Sequence, residues 1–180
     1  MIRHIHTVAG RYKGKIHAWD VVNEVFNEDG TFRPSPFYDL LGKDFIKIAF
    51  REAHKADPYA KLFINDYNLD YAGPKVDAMV ELVKEMRKEG VPVHGIGSQA
   101  HLILNDPGIP TIKNQLAKMA AVVPEVAFTE IDIRVPLPAN KKTYEDQKRD
   151  TETVFNACLE IKNCVGMTVW GVSDKVRTPG

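Results

Sequence analysis

Two glutamates, Glu24 and Glu130, are the residues whose type and position could do chemistry most directly. Each stands at the end of a short apolar run, in the segments WDVVNE (19–24) and FTEID (128–132). Two carboxyl groups that flank a glycosidic bond, one protonated and one ionised, are what glycoside hydrolysis requires. The two glutamates therefore predict a glycoside-cleaving site, provided that the fold brings them together.

Amide, imidazole and aromatic side chains stand at the ends of the other apolar runs, in NDYN (65–68), SQAH (98–101) and VWG (169–171). Amides bind sugar hydroxyls and an indole face stacks on a sugar ring, so this set suits a carbohydrate. A metal site built from His101, Glu130 and Asp132 is the alternative. No serine nucleophile elbow and no glycine-rich phosphate loop occurs in the sequence.

Short apolar runs bounded by glycine, proline or charge predict the strands that position these side chains. The predicted strands are 15–22, 61–65, 93–98, 125–129 and 165–170. Amphipathic stretches between them predict helices over 44–56, from Pro74 to Gly90, over 110–122, and from a capping box at Thr143 and Asp146 to Cys158.

Alternating strands and helices predict a parallel sheet with helical crossovers, which is either an open doubly wound sheet or a (β/α)8 barrel. In both folds the active site lies at the carboxyl ends of the strands, where the polar side chains stand. The absence of a phosphate loop disfavours a nucleotide-binding sheet, and five strands cannot close an eight-stranded barrel.

The bulk composition suits one soluble domain with a neutral partner. Lys and Arg together number 24, as do Asp and Glu, which makes nucleic acid and anionic membranes poor candidates. No apolar run reaches the roughly 20 residues of a membrane span. Residues 1–10 lack the features of a secretory signal. Cys158 and Cys164 are too sparse for a zinc site, and the spacing leaves open whether they are free or bridged.

The ordered set of motifs resembles glycoside hydrolase family 10, the endo-1,4-β-xylanases. WDVVNE (19–24) resembles the acid/base strand of that family, and TEIDI (129–133) resembles its nucleophile strand. NDYN (65–68), GSQAH (97–101) and TVWGV (168–172) match further segments in the correct order. Fungal members are especially similar over 10–24 and in the cysteine pair.

The resemblance implies an α/β fold, a (β/α)8 TIM barrel, and a retaining mechanism with Glu24 as acid/base and Glu130 as nucleophile. It further implies that Asn23 binds the sugar 2-hydroxyl and that His101 donates to Glu130, with Asp132 behind the imidazole. Gln99 is expected beside Glu24, Tyr67 and Asn68 on the leaving-group side, and Trp170 as a sugar platform. A structural disulfide between Cys158 and Cys164 is also implied.

The same resemblance predicts a single domain over 1–180 that holds about five of the eight βα units, from the fourth strand to the eighth. The implied substrates are xylan and xylooligosaccharides, with no metal or other cofactor, in a secreted, extracellular enzyme that is a monomer when complete. We expect weak or absent activity from this chain alone, because remote sugar contacts lower the barrier. The alternatives are a non-catalytic xylan-binding fragment and a β-glucan or cellobioside hydrolase.

Overall fold

A computed structural model describes residues 1–171, and in it a parallel sheet carries helices that connect successive strands. In chain order the helices are α1 (Ile2–Arg11), α2 (Pro36–Leu41), α3 (Asp44–Ala56), α4 (Pro74–Lys88), a 3₁₀ turn (Ile109–Thr111), α5 (Ile112–Ala120) and α6 (Lys141–Leu159). The strands are β1 (Ala18–Asn23), β2 (Lys61–Asp66), β3 (Gly95–Ser98), β4 (His101–Ile103), β5 (Glu125–Arg134) and β6 (Cys164–Val169).

Every pairing between these strands is parallel, as the alternating sequence pattern predicts. The order runs β1-β2-β3-β5, and β6 lies on the other side of β5. β3 and β4 both pair with β5, where Gly95 faces Glu125 and His101 faces Asp132. They are therefore two parts of one strand position, and the described sheet has five positions.

The sheet does not close on itself within residues 1–171, because β1 pairs only with β2 and β6 only with β5. Its outer strands are consequently less buried than its centre. Val165 and Val169 on β6 are 50% and 62% exposed, whereas Ile64 on β2 and Ile96 on β3 are fully buried. This is the incomplete barrel that the sequence predicts.

The core lies between the sheet and the helices that pack on it, with α3 against β1 and β2, and α5 and α6 against β5. Phe50 of α3, Leu62 of β2 and Met79 of α4 are fully buried in it. Helix α4 ends as predicted, because Gly90 adopts a left-handed φ of 71° and Val91 N–H returns to the carbonyl of Met86.

Several local predictions were wrong. The first strand begins at Ala18 rather than at residue 15, because residues 12–15 form a turn, and helix α2 was not predicted. Helix α1 was not predicted, although Ile2, Ile5, Val8 and Ala9 recur at helical spacing, because no side-chain cap marks its start. β5 continues past Thr129 to Arg134, because its polar positions alternate with the buried Ile131 and Ile133. The capping box was also misplaced, because helix α6 is capped by Asn140.

The side chain of Asn140 accepts a hydrogen bond from the backbone N–H of Thr143 at 3.1 Å. Thr143 therefore lies inside the first turn of α6 rather than before it. At the other end of this helix, Cys158 and Cys164 form a disulfide that joins α6 to the first residue of β6. The implied disulfide is confirmed, and it lies at the amino end of the strand.

Candidate active site

The predicted polar residues converge at the carboxyl edge of the sheet. Asn23 ends β1 and Glu24 follows it, Gln99 follows β3, His101 begins β4, and Glu130 lies within β5. Each of the five takes part in hydrogen bonds that reach a neighbouring strand position. Parallel strands deliver their carboxyl ends to a common edge, so residues far apart in sequence share one site.

Glu24 sits at a sharp turn of the backbone where β1 leaves the sheet. Its φ is 57°, in the left-handed region that L-residues rarely adopt, and its N–H donates to the carbonyl of Asn65 at 2.9 Å. Oε1 accepts from Nε2 of Gln99 at 3.2 Å, and Oε2 accepts from Nη1 of Arg33 at 2.5 Å. The hydrogen bond that Arg33 donates to Glu24 raises the pKa of the Arg33 guanidinium above its usual value.

Glu130 is held on both of its carboxylate oxygens. Oε1 accepts from Nδ2 of Asn65 at 3.2 Å, and Oε2 lies 3.1 Å from Nε2 of His101. The backbone N–H of Glu130 donates to the carbonyl of Gln99. These contacts fix the orientation of the carboxylate, which a nucleophile requires.

Two buried amides connect the glutamates. Asn65 and Gln99 are 1% and 2% exposed, and their Nδ2 and Nε2 groups both donate to Oδ1 of Asn23, at 3.0 and 3.2 Å. Each of these amides also donates to one of the two glutamates. A continuous chain of hydrogen bonds therefore runs Glu24–Gln99–Asn23–Asn65–Glu130.

Asn65 is fixed in turn by the strands beside it. Its Oδ1 accepts from Oγ1 of Thr129 at 2.8 Å, which leaves Nδ2 directed at Asn23 and Glu130. Gly97 on the neighbouring strand permits this placement, because a Cβ at that position would overlap Oδ1 of Asn65. Since both contacts to Asn23 use its oxygen, the Nδ2 group of Asn23 can donate to a ligand.

His101 links Glu130 to a second carboxylate. Its Nδ1 lies 3.1 Å from Oδ1 of Asp132, and the two residues face each other in the β4–β5 register. An imidazolium donates to both carboxylates, whereas a neutral ring donates to only one. Within residues 1–171 no group of His, Cys, Asp and Glu is arranged to hold a metal ion, and the ring of His101 separates the two carboxylates.

Trp170 stands at the rim of the site and is not part of the core. It is 52% exposed, and its ring meets that of His101 edge-on with centroids 6.1 Å apart. Its backbone N–H is held by the carbonyl of Ile131. An exposed indole face beside the carboxyl pair is available to a sugar ring.

Tyr67 and Asn68 lie at the same edge, beside the loop that follows Glu24. Asn68 has a φ of 54°, and its Nδ2 donates to Glu28 at 3.2 Å. The ring of Tyr67 is covered by Nζ of Lys75, 3.2 Å from the ring centroid. Every catalytic or sugar-binding residue predicted from the sequence is thus at this edge, whereas Val172, the last residue of the TVWGV segment, lies outside the described residues.

Sequence reasoning missed several residues that shape the site. Asn65 stood in a recognised motif but received no role, although it bridges the pair. Lys75 carried no local signal, because its partner Glu28 is 47 positions away. Arg33 is only nine positions from its partner Glu24, but no regular spacing marks a contact across that loop. Asp70 is fully enclosed beneath the site, accepts from Ser98 Oγ at 2.5 Å, and has its pKa raised to about 6 by burial.

Known proteins share both this fold and the sequence that builds it. Residues 1–177 match the model of the glycosyl hydrolase family 10. The chain belongs to glycosyl hydrolase family 10. The match spans nearly all of the sequence, and it accounts for the parallel strands as part of a (β/α)8 barrel.

Two fungal family 10 relatives illustrate the similarity. The chain is 50% identical to endo-1,4-beta-xylanase 2 of Claviceps purpurea, over 95% of this chain and 49% of that protein. It is 51% identical to endo-1,4-beta-xylanase 3 of Hypocrea jecorina, over 96% of this chain and 47% of that protein. The chain therefore spans about half the length of these relatives.

A solved structure agrees with the family assignment. Xylanase 10B from Thermotoga petrophila RKU-1, determined in complex with xylobiose, superposes with a TM-score of 0.92 at 33% identity. The superposition covers 98% of this chain and 54% of that one.

No helix within residues 1–171 is long and apolar enough to cross a membrane.

Proposed function

We propose that this site hydrolyses internal β-1,4-xylosidic bonds of xylan with retention of configuration. The observation that carries the proposal is the chain of hydrogen bonds that joins Glu24 to Glu130 through three amides at one edge of the sheet. Retaining glycosidases need two carboxyl groups about 5–5.5 Å apart, in different protonation states. Family membership supports the same chemistry.

In the first step, a carboxylate oxygen of Glu130 attacks the anomeric carbon while the bond from that carbon to the leaving sugar oxygen breaks. Glu24 donates its proton to that oxygen, which leaves as a hydroxyl. In the second step, Glu24 takes a proton from water as the water attacks the same carbon, and Glu130 departs as a carboxylate. No further reactant is needed.

The neighbouring side chains support these two roles. Asn65 and His101 donate to Glu130 and keep it oriented, while Asp132 holds the far side of the imidazole. Gln99 orients Glu24 through Oε1. Since Arg33 occupies Oε2 of Glu24, proton delivery to the leaving oxygen through Oε2 requires that this contact opens.

The remaining site residues recognise the sugar. Asn23 uses its Nδ2 group for the 2-hydroxyl of the sugar under attack, a contact that strengthens in the transition state. Trp170 supplies a stacking face beside the cleavage point. Tyr67 and Asn68, beside the acid/base loop, line the leaving-group side.

Xylan and xylooligosaccharides are the proposed substrates, since the two fungal relatives are endo-1,4-beta-xylanases and a similar structure holds xylobiose. The proposal includes a secreted enzyme that acts as a monomer. Because this chain spans about half the length of its relatives, we expect its turnover to be weak. A sugar-binding fragment without catalysis is the second candidate, favoured by that same coverage.

The deciding experiment measures reducing-sugar release from xylan and from carboxymethyl-cellulose by the 180-residue chain and its Glu130→Gln and Glu24→Gln variants. Glu145→Gln, an exposed glutamate on α6, is the matched control. We expect release from xylan by the chain and the control, and none by Glu130→Gln. A preference for carboxymethyl-cellulose would replace xylan with a β-glucan as the substrate.

A fluorinated xylobioside that traps the glycosyl-enzyme tests the covalent step separately. Mass spectrometry should find the label on the peptide that contains Glu130 and should find none in Glu130→Gln. Xylooligosaccharide binding without release or label would favour the non-catalytic candidate.

A further inference from the structure

A buried ammonium lies beneath the leaving-group side of the site. Lys75 is the second residue of α4 and only 2% exposed, although lysine is rarely buried unless its charge is paired. From the first turn of the helix, this side chain reaches the carboxyl end of β2. The contacts of its ammonium group indicate a structural role for this charge.

Nζ of Lys75 has three partners from two different loops. It lies 3.0 Å from Oδ1 of Asp66, a fully buried carboxylate at the end of β2. It donates to Oε1 of Glu28 at 3.2 Å, in the loop that follows Glu24. It also lies over the ring of Tyr67, 3.2 Å from the centroid, as a cation–π contact.

The partners of Lys75 form hydrogen bonds with the loop after Glu24 and with Asn68. Oδ2 of Asp66 accepts from the backbone N–H of Phe26, two residues beyond Glu24. Oε2 of Glu28 accepts from Nδ2 of Asn68. One side chain therefore connects the loop of the general acid to the two residues of the leaving-group wall.

The electrostatics make Lys75 difficult to replace. Burial raises the pKa of Asp66 above its usual value, and the hydrogen bond and positive charge of Lys75 oppose that rise. Without the ammonium, an uncompensated carboxylate would remain beside Tyr67 and Phe26. The neighbouring loops would then relax toward water.

We propose that Lys75 is a positioning residue that holds the face of Tyr67 and the loop after Glu24 in place, and so shapes the wall that receives the departing sugar. The role of Lys75 in shaping the wall for the departing sugar rests on the proposed function. Its role in ordering the two loops does not depend on that function. Lys75 touches no reacting atom, so it acts through Tyr67, Asn68 and Glu28.

The first test is independent of activity. Backbone order parameters from NMR relaxation are compared for the chain, Lys75→Met, Lys75→Arg and Lys84→Met. Lys84 lies on the same helix but is exposed, and it forms an ion pair with Glu81. In Lys75→Met, we expect the order parameters of residues 26–28 and 67–68 to fall from about 0.85 to below about 0.6, while β3 and β5 stay rigid.

Lys75→Arg keeps the charge and the ability to stack on an aromatic ring, and should restore most of this order. Glu28→Gln covers the case in which Lys75→Met does not fold, because Glu28 is 60% exposed and its loss should loosen the same two loops. Order that stays unchanged in Lys75→Met, or in Glu28→Gln if Lys75→Met does not fold, would overturn the proposal.

The second test separates positioning from general stability. Hydrolysis of xylotetraose, which has a sugar leaving group, is compared with hydrolysis of an aryl xylobioside, whose good leaving group needs neither the wall nor the acid. Lys75→Met should lower kcat/KM about tenfold for xylotetraose and much less for the aryl substrate. Equal losses would show a merely structural role. Failure of the unchanged chain on both substrates would count against the proposed function, while the order parameters would still decide the role of Lys75.

Discussion

Nε2 of His101 lies 3.1 Å from Oε2 of Glu130, and Nδ1 of the same ring lies 3.1 Å from Oδ1 of Asp132. The imidazole is therefore held between two carboxylates that project from one strand. Its orientation is set by β4, which places His101 opposite Asp132 in the parallel register.

His101→Phe removes the donor to Glu130 and keeps a ring of similar size. A hydrogen bond to a charged group contributes about 1.5–3 kcal/mol, so labelling of Glu130 by the fluorinated xylobioside should slow about tenfold or more. His4→Phe, at an exposed histidine of α1, should label at the rate of the unchanged chain. Equal labelling of all three proteins would contradict a role for His101 at Glu130.

Gly97→Ala tests whether Asn65 must stay where it is. A Cβ at Gly97 would overlap Oδ1 of Asn65 and lie 2.8 Å from Cγ2 of Thr129. We expect overpacking to lower the free energy of unfolding by about 1–3 kcal/mol, and displacement of Asn65 to slow Glu130 labelling by tenfold or more. In the control Gly166→Ala, a Cβ meets only Ala127 at 3.9 Å, and both quantities should stay near those of the unchanged chain.

Asp70 makes the stability of the fold depend on pH. Its pKa is 3.8 when exposed and about 6 when enclosed, so between these values the folded state binds the proton more tightly than the unfolded state. The free energy of unfolding should therefore fall as pH rises from 4 to 6.5, by up to about 3 kcal/mol from this group.

The change Asp70→Asn mimics the protonated carboxyl and should abolish that part of the fall. Urea unfolding of both proteins across this pH range measures the difference, with the exposed Asp39→Asn as control. If the difference in the free energy of unfolding between the unchanged chain and Asp70→Asn does not vary with pH, Asp70 is not the source of the pH dependence.

The disulfide should stabilise the fold without affecting the site. Cys158 and Cys164 are six positions apart, and closing so short a loop contributes about 2 kcal/mol in the chain-entropy model. The double variant Cys158→Ala/Cys164→Ala should lose about that much in urea unfolding and still label Glu130 at the usual rate. Slower labelling in the folded double variant would show that β6 transmits strain to the opposite edge.

The strands and the carboxyl pair could be predicted from the sequence because their signals are local. Buried parallel strands give short apolar runs, and polar residues that end such runs must meet at one edge. Glu24, Gln99 and Glu130 were placed in this way, with the ordered motifs adding their roles. Helix α3 was predicted with its correct bounds, since its apolar residues repeat with helical period.

The contacts that hold these residues could not be predicted, because they join loops that are distant along the chain. Lys75 and Glu28 are separated by 47 positions, and Asn65 and Glu130 by 65. No local pattern records such a pairing. Helix α1 was missed for a different reason, since its apolar residues recur at helical spacing but no side-chain cap marks where it begins.

Glu24 adopts a left-handed backbone, which for a residue with a Cβ costs about 1–2 kcal/mol. Glycine would relieve that strain and would give up only the half-exposed ion pair with Arg33 and one hydrogen bond from Gln99. An inactive Glu24→Gly variant is therefore expected to resist heat at least as well as the unchanged chain, which a melting experiment would measure. At this turn, the change that favours thermal stability removes the proposed general acid. Screening variants for thermal tolerance alone would therefore tend to select inactive proteins.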